Sequence, residues 1–295
     1  MNPRSRPRFL GACATLLALT LGACSSLPPT QGPTLSSARI AEIVAGADRT
    51  AADRTNDQRR KPKQMLAFIG LRAGMVALDV SAAGGYTTEL LARAIGPGGT
   101  VYGQSLPRDP NRAPVAPAAP EGNSAPSATP APPAPPPSAG PPRSSVMALA
   151  ARAERLRGAN VATAAIVAVP QPFENPAPAA LAANGLDLVT LMFNYHDLGF
   201  MGVDRAQMNR ALFQALKPGG LYVIADHSGR AGTGISESGT LHRIEEVFLR
   251  REVEAAGFRL VAEGQFMRNP NDPRDKNTPD PPMPKDEFVL KFVKP

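Results

Sequence analysis

The chain has 295 residues, of which 43% are hydrophobic and 19% are charged, so it can bury a substantial core and is not a wholly disordered protein. Its formal net charge is +7, and removal of an N-terminal segment that carries Arg4, Arg6 and Arg8 would lower it by three, to +4. A charge this small and scattered gives no indication of a nucleic-acid partner, and we expect none.

The first residues have the order of a secretory signal. Three arginines precede the apolar run Phe9–Leu21, which is too short to span a membrane comfortably and ends in small residues. The letters Leu21-Gly22-Ala23-Cys24 resemble the lipobox of bacterial lipoproteins, in which cleavage precedes the cysteine and its thiol is acylated. We therefore predict a lipoprotein signal peptide over residues 1–23 and lipidation of Cys24; the alternative is an uncleaved anchor helix.

The resemblance to lipoproteins also implies where in the cell the protein is located. Ser25, where an aspartate would retain the protein elsewhere, resembles the outer-membrane sorting pattern, so we expect a cell-envelope protein held by its lipid at the periplasmic face of the outer membrane. Cys13 would leave with the signal peptide, and no cysteine would remain for disulfides, metal binding or thiol catalysis. Residues 24–35, rich in proline and small polar residues, are predicted to tether the domain to the lipid.

Two helices are predicted before the first strand. A helix over Ser36–Arg60 is indicated by Ile40 and Ile43, which recur at helical spacing, and a second helix spans Lys63–Ile69 after a proline break. We expect this front section to cap the sheet or a ligand crevice.

The stretch Met75–Gln104 predicts a strand, a loop of small residues, a helix and a second strand. The apolar run Met75–Leu78 ends at Asp79, and the following loop has almost no side chains, so a ligand could approach its backbone closely. The helix Thr87–Ile95 would present its first N–H groups to that ligand. This pattern is half of a nucleotide-binding α/β fold.

Residues 107–143 are dominated by proline and alanine and contain scarcely a large apolar side chain. Such a segment cannot build a core, and we predict a disordered or polyproline-type insertion after the second strand. Its functional alternative is a spacer or a contact site for a partner in the envelope.

The remaining elements alternate between helices and strands. The run Leu186–Phe193 is apolar almost throughout, as a strand buried on both faces requires. The helix Asp204–Leu216 ends at a Lys-Pro-Gly-Gly turn, and the strand Leu221–Ala225 follows at once. The other predicted elements are helix Ser144–Arg157, strand Val161–Val169, helix Thr240–Ala256 and strand Glu287–Val293.

Three segments resemble the class I S-adenosylmethionine-dependent methyltransferases. Asp79-x-Ser81-x-Ala83-x-Gly85 is similar to the family's first motif, an acid followed by glycines at alternate positions. LKPGGLYVIAD resembles its turn before the fifth strand, and VEAAGFRLVAE resembles its passage into the sixth. The resemblance spans residues 36–295 apart from the insertion. It implies a single-domain, doubly wound α/β fold with a mostly parallel, Rossmann-like sheet of seven strands, whose closing strand pairs antiparallel between existing strands.

The resemblance also implies that S-adenosylmethionine binds at the carboxyl ends of the strands. The cofactor-binding positions fall on Asp79, Ser81, Ala83, Gly84, Gly85, Tyr86, Gln104 and Asn194. Ser81 and Ala83 carry a Cβ where the family has glycine, so their backbone must keep a negative φ or hold the cofactor farther away. Gln104 stands where the family has an acid that accepts hydrogen bonds from the ribose.

The fourth strand ends in the letters NYHDL, at residues 194–198. A histidine beside a carboxylate at the mouth of the crevice is a candidate general base, so His196 and Asp197 are the predicted catalytic residues. Adjacent side chains on an extended strand point to opposite faces, so the two can cooperate only where the strand has already turned, and Asp197 could instead cap the next segment. NYHDL, with DHS and LHRI downstream, resembles a branch of bacterial methyltransferases known only by prediction.

The other histidines raise two alternatives. Asp226, His227 and Ser228 are the residue types of a hydrolase triad, but they are contiguous, whereas triads assemble from separate segments. His196, His227 and His242 all fall on the crevice side of the expected fold, yet only that placement brings them together, so we expect no metal site.

The expected function is methyl transfer from S-adenosylmethionine to an unidentified small-molecule acceptor, by an exported and lipid-anchored enzyme that acts through proximity and orientation. The alternative is a periplasmic binding lipoprotein that keeps this fold without catalysis or with a different ligand. A third hypothesis is an envelope interaction protein that makes its contacts through the proline-rich insertion.

Overall fold

The computed structural model describes Met1 and residues 32–107, 144–279 and 281–295. The predicted signal peptide, most of the tether and the proline-rich insertion from residue 108 onward lie outside the described residues. Within the described ranges, every helix is too short or too polar to cross a lipid bilayer.

One sheet of seven strands organises the structure. The strands are β1 (Val76–Val80), β2 (Thr100–Ser105), β3 (Ala165–Pro170), β4 (Leu186–Met192), β5 (Leu216–His227), β6 (Arg259–Gly264) and β7 (Glu287–Val293). They lie in the order β3-β2-β1-β4-β5-β7-β6. Neighbours from β3 to β5 are parallel, while β7 runs antiparallel between β5 and β6. The predicted fold class and the antiparallel closing strand are confirmed.

Helices cover both faces of the sheet. They are α1 (Ser37–Ala45), α2 (Ala51–Arg60), α3 (Pro62–Ile69), α4 (Tyr86–Ile95), α5 (Ser145–Gly158), α6 (Asp197–Phe200), α7 (Arg205–Ala215), α8 (Ser238–Leu241) and α9 (Glu246–Ala255), with a 3₁₀ turn at Ala179–Leu181. Apolar residues of α1, α3 and α4 form one core layer, and those of α7 and α9 form the other. Alternate strand residues feed opposite layers, as Ala77 and Leu78 do in β1.

The helix expected over Ser36–Arg60 is two helices. The first ends at Gly46, and the second begins after Thr50, whose hydroxyl accepts a hydrogen bond from the Asp53 N–H at 3.1 Å. Glycine after a helix and threonine before one are standard boundaries, and the helical spacing of Ile40 and Ile43 predicts only the first of the two helices. The break makes α2 a separate element, whose Asp53 pairs with Arg152 of α5 and whose Asp57 accepts a hydrogen bond from Tyr86 of α4.

Other boundaries also differ from expectation near the carboxyl ends of the strands. The helix expected over Thr240–Ala256 is divided into α8 and α9, because His242 adopts a left-handed φ of 50° between them. The strand expected over Leu221–Ala225 begins at Leu216 and continues to His227, which pairs with Glu287 of β7. The strand expected over Val161–Val169 begins only at Ala165.

Candidate functional site

The β1–α4 loop, residues 81–85, keeps the backbone of a glycine motif although two glycines are replaced. Ser81 has φ 59°, Ala83 has φ 46° and Gly85 has φ 78°. A left-handed conformation costs a residue with a Cβ about 1–2 kcal/mol, which the surrounding structure must offset. The expected alternative of a negative φ at Ser81 and Ala83 is therefore wrong.

Side chains from two neighbouring strand ends hold this loop. The Ser81 N–H donates to Oε1 of Gln104 at 2.9 Å, and Nε2 of Gln104 donates to the carbonyl of Gln171 at 2.7 Å. Oγ of Ser81 donates to Oδ1 of Asn194 at 2.6 Å. Gln104 is fully buried, so this predicted ribose-binding residue is engaged inside the protein, and Asn194 links the loop to the end of β4.

Asp79 is a buried anchor at the end of β1. Its two carboxylate oxygens accept hydrogen bonds from Oγ1 of Thr88 at 2.6 Å and from Oγ1 of Thr190 at 2.8 Å. Burial raises the pKa of Asp79 to about 6, although the two threonine hydrogen bonds act in the opposite direction. The structure therefore places this predicted cofactor residue in the interior, where it joins β1 to α4 and β4.

The two glycines of the loop have different surroundings. A Cβ on Gly85 would lie 2.6 Å from Cδ2 of Leu149 and 2.9 Å from Cδ of Arg152, because α5 packs directly on this residue. A Cβ on Gly84 would have no atom within 4 Å. Gly84 and Ala83 are exposed. Gly85 thus serves helix packing, whereas the backbone of Ala83 and Gly84 is the part of the loop that a ligand can reach.

A mostly apolar cleft lies beside the loop, between α3, α4 and the end of β4. The space between its walls is about 340 Å³, a figure that includes space open to solvent. Its lining includes Arg60, Tyr86, Thr87, Met192 and Phe193. The guanidinium of Arg60 lies 4.6 Å from the ring centroid of Phe193 and 5.8 Å from that of Tyr86. The end of α2 therefore brings positive charge to the cleft.

Tyr86 lines the cleft with its ring and fastens α2 with its hydroxyl. The hydroxyl donates to Oδ1 of Asp57 at 2.7 Å, and Asp57 also pairs with both terminal nitrogens of Arg49 at 2.6 and 2.7 Å. Burial and the Asp57 carboxylate raise the pKa of Tyr86 well above its ordinary value. The phenol therefore stays protonated and acts as a hydrogen-bond donor.

A second set of residues, the histidine cluster, lies at the carboxyl ends of β4 and β5. It consists of His196, Asp197, Asp226, His227 and His242. After β4 the chain turns at Phe193, which has φ 60°, and His196 already has a helical backbone. Nε2 of His196 and Oδ1 of Asp197 are 3.0 Å apart. The turn that was required for these two side chains to cooperate is present.

His196 is held between two carboxylates. It is fully buried, its Nδ1 lies 2.6 Å from Oδ1 of Asp226, and its backbone N–H donates to Oδ2 of Asp226 at 2.8 Å. Burial opposes protonation of the ring, but the charges of Asp226 and Asp197 outweigh it and raise the pKa of His196 to about 10. The ring is enclosed by these contacts, so the structure gives His196 a positioning role, and its predicted role as general base stays a prediction.

Asp197 and His242 form the accessible half of the histidine cluster. Nδ1 of His242 lies 2.9 Å from Oδ1 of Asp197, and Nδ2 of Asn194 donates to Oδ2 of Asp197 at 2.7 Å. Burial raises the pKa of Asp197, but the close contacts and charges of the His196 and His242 imidazoles outweigh it and hold that pKa below its ordinary value. The His242 side chain is 35% exposed, against 16% for Asp197. Asp197 therefore orients a partly exposed imidazole and does not cap α6.

Asp226, His227 and Ser228 do not form a hydrolase relay. The Asp226 carboxylate contacts His196, while Nδ1 of His227 lies 3.0 Å from Oε1 of Glu287. The carboxylate and the imidazole of this contiguous set therefore contact residues of other segments.

Asp226 is a candidate functional residue that the sequence predicted only as part of that triad. Its carboxylate fixes both the ring and the backbone of His196. Because β4 and β5 are adjacent and parallel, residues that follow their carboxyl ends lie close together. A histidine after one strand and an acid after the other could therefore have predicted this pair.

No family model matches the chain, and no curated protein does. Among solved structures, a SAM-dependent methyltransferase from Aquifex aeolicus matches with a TM-score of 0.51 and 16% identity, over 88% of this chain and 100% of that one. The two proteins share a fold. An arsenic(III) S-adenosylmethionine methyltransferase from Chlamydomonas reinhardtii matches with a TM-score of 0.49 and 13% identity, over 90% of this chain and 74% of that one. The Rossmann-like methyltransferase sheet expected from the sequence is confirmed.

Proposed function

We propose that the protein is an S-adenosylmethionine-dependent methyltransferase that acts on a small-molecule acceptor. The observation that carries the proposal is the β1–α4 loop, which holds a left-handed φ at Ser81 and Ala83 as well as at Gly85. Strained residues persist where the surrounding structure enforces them, and they cluster at ligand sites. A chain that needed only the fold could relax this loop.

The residues around the loop suit such a cofactor. The exposed backbone of Ala83 and Gly84 allows close approach, and the first turn of α4 offers N–H groups that no helix carbonyl accepts. The positively charged guanidinium of Arg60 lines the cleft, where it can pair with the carboxylate in the methionine part of the cofactor. The cofactor, when bound, supplies a methyl group on a sulfonium centre.

We assign the acceptor to the side of the histidine cluster, which adjoins the cleft through Phe193. Phe193 lines the cleft, and its ring centroid is 5.7 Å from that of His227, which in turn is 5.3 Å from that of His196. His242 is the partly exposed imidazole of the cluster, and Asp197 fixes its orientation. We assign to His242 the removal of a proton from the acceptor, with proximity and orientation as the main source of rate.

A binding protein for a different ligand is the second candidate, and Gln104 favours it. The position from which the resemblance implies a ribose contact is fully buried, and its amide is hydrogen-bonded to Ser81 and Gln171. The resemblance implies an acid at this position, whose carboxylate would accept charge-assisted hydrogen bonds from the two ribose hydroxyls. Here the position holds an amide that is already hydrogen-bonded within the protein.

Calorimetric titration of the full-length protein with S-adenosylmethionine and with S-adenosylhomocysteine separates these two candidates. The methyltransferase proposal expects one molecule of either compound per chain and weaker binding of both to Gly84→Ala, because the added methyl group enters the space that the ligand needs. Gly158→Ala is the matched control, since a Cβ there also meets nothing within 4 Å. A folded wild-type protein that gives no heat with either compound contradicts the proposal and leaves the binding protein.

We also propose that the mature protein is anchored through Cys24 to the periplasmic face of the outer membrane. The lipobox-like sequence supports this proposal. Cys24→Ala should release the protein from the membrane fraction, whereas Cys13→Ala and deletion of residues 107–142 should leave it there. Persistent membrane association of Cys24→Ala would contradict the anchor.

A further inference from the structure

We infer that the histidine cluster binds one divalent transition-metal ion through Nε2 of His196, Oδ1 of Asp197 and Nδ1 of His242. The three donor atoms lie within 4.8 Å of one another. Asp197 Oδ1 is 3.0 Å from the His196 nitrogen and 2.9 Å from the His242 nitrogen. Ligand atoms bound to such a metal at about 2.0–2.2 Å stand about 2.9–3.4 Å apart, so these separations suit coordination.

The donor types select the class of metal. Two imidazoles and one carboxylate suit Zn²⁺, Fe²⁺, Co²⁺ or Ni²⁺. Mg²⁺ and Ca²⁺ prefer sites made of oxygen atoms, so the set excludes them as the favoured ions.

Nε2 of His196 is an independent observation that points to a ligand. The ring is fully buried, and this nitrogen makes no hydrogen bond, although Oδ1 of Asp197 is 3.0 Å away. Buried polar atoms in proteins normally have a hydrogen-bond partner or another ligand. A metal ion between His196 and Asp197 would satisfy the nitrogen and the carboxylate together.

The surrounding residues provide the outer contacts that metal ligands use. Asp226 accepts from Nδ1 of His196, the arrangement that fixes the tautomer with Nε2 toward a metal. Asn194 donates to Oδ2 of Asp197, which leaves Oδ1 for the ion. Asp197 and Asp226 place two carboxylates in a mostly buried region, and a dication would compensate their charge. The exposure of His242 leaves an entrance.

We expected no metal site from the sequence, because only the fold brings the histidines together. The missing element was the left-handed backbone of His242, which divides two helices and directs Nδ1 to Asp197. The metal site does not depend on the cofactor. Its further role rests on the proposed function: an ion bound to Nδ1 of His242 would replace that imidazole as the group that activates the acceptor, because it would hold the acceptor's hydroxyl or amine and lower the pKa of that group.

Full-length protein, stripped of metal by dialysis against a chelator, tests the site by calorimetric titration with Zn²⁺ and by visible absorption on titration with Co²⁺. We expect one ion per chain. His242→Asn is the decisive variant, since asparagine tolerates the left-handed backbone and can still bond Asp197 but has no imidazole. It should bind at least about 100-fold more weakly, because loss of an outer contact alone costs about 10–100-fold. Asn194→Ala removes only an outer contact of Asp197, so its affinity for Zn²⁺ should be about 10–100-fold weaker than that of wild type.

His227→Asn is the matched control, because it removes an imidazole outside the donor set and should leave the affinity for Zn²⁺ unchanged. The same cysteines are present in every variant, so they do not contribute to the difference. Equal Zn²⁺ affinity of wild type and His242→Asn, or no binding by folded wild type, overturns the site. The separate titration with S-adenosylhomocysteine shows whether the proposed function fails independently.

Discussion

The β1–α4 loop and the histidine cluster are built in opposite ways. The β1–α4 loop works with its backbone, through left-handed φ angles, small side chains and an internal hydrogen bond to Gln104. The histidine cluster works with its side chains, which are ionisable, mostly buried and in contact with one another. Backbone conformation and small side chains define the structure of the loop, whereas contacts between ionisable side chains define the structure of the histidine cluster. The loop can therefore lose two glycines and keep its conformation, whereas the cluster depends on individual pairs.

We expect the largest effect on the free energy of unfolding from a substitution in the histidine cluster. Asp226→Ala removes the carboxylate that faces the buried His196, and loss of one member of a buried pair costs about 3–5 kcal/mol. Urea unfolding measures this cost. The control is Glu154→Ala, whose pair with Arg157 is exposed and should contribute less than about 1 kcal/mol. Similar losses in the two variants would contradict the difference in burial.

The packing of the β1–α4 loop is best tested at its two adjacent glycines, Gly84 and Gly85. Gly85→Ala should lower the free energy of unfolding by about 2–4 kcal/mol, because it combines a left-handed φ with overpacking against Leu149. Gly84→Ala should leave the stability nearly unchanged, since its Cβ meets open space. Equal effects on the urea midpoint would show that α5 does not pack on Gly85 as described.

The pH dependence of stability tests whether the carboxyl group of Asp79, which anchors the loop, is buried. Its folded-state pKa of about 6 lies above the unfolded value of about 3.9, so its contribution to stability is fully present below about pH 4 and is lost as the pH rises through 6. Asp79→Asn has no charge and should gain roughly 2–3 kcal/mol relative to wild type between pH 4 and pH 7. Urea unfolding of both proteins at the two pH values checks this. A constant difference would mean that Asp79 is not buried.

The smallest effect concerns the strain in the loop. Ala83→Gly relieves a left-handed alanine and should stabilise the protein by about 0.5–1 kcal/mol, after the greater flexibility of glycine in the unfolded chain is subtracted. Ala82→Gly, at a buried neighbour with a negative φ, should destabilise it instead. A loss of thermal stability in both variants would contradict the strained conformation of Ala83.

The sequence predicted the sheet well because its signals are local. The apolar run of β4 and the turn before β5 identify neighbouring strands, and β7 lies where the family resemblance places it. The roles of the site residues depend on distant contacts. Gln104 is engaged by Gln171, 67 positions away, and His196 by Asp226, 30 positions away. The contact of Gln104 leaves no trace in the spacing of nearby residues, and the contact of His196 becomes predictable only when β4 and β5 are taken as neighbouring strands.

The most direct test of the account is hydrogen–deuterium exchange of the full-length protein with and without saturating S-adenosylhomocysteine. If the β1–α4 loop receives the cofactor, amides of residues 81–87 should exchange more slowly in its presence, while amides of α9 should be unaffected. Unchanged exchange over residues 81–87, or protection confined to another part of the chain, would contradict the central claim that the loop has kept its ligand after losing two glycines.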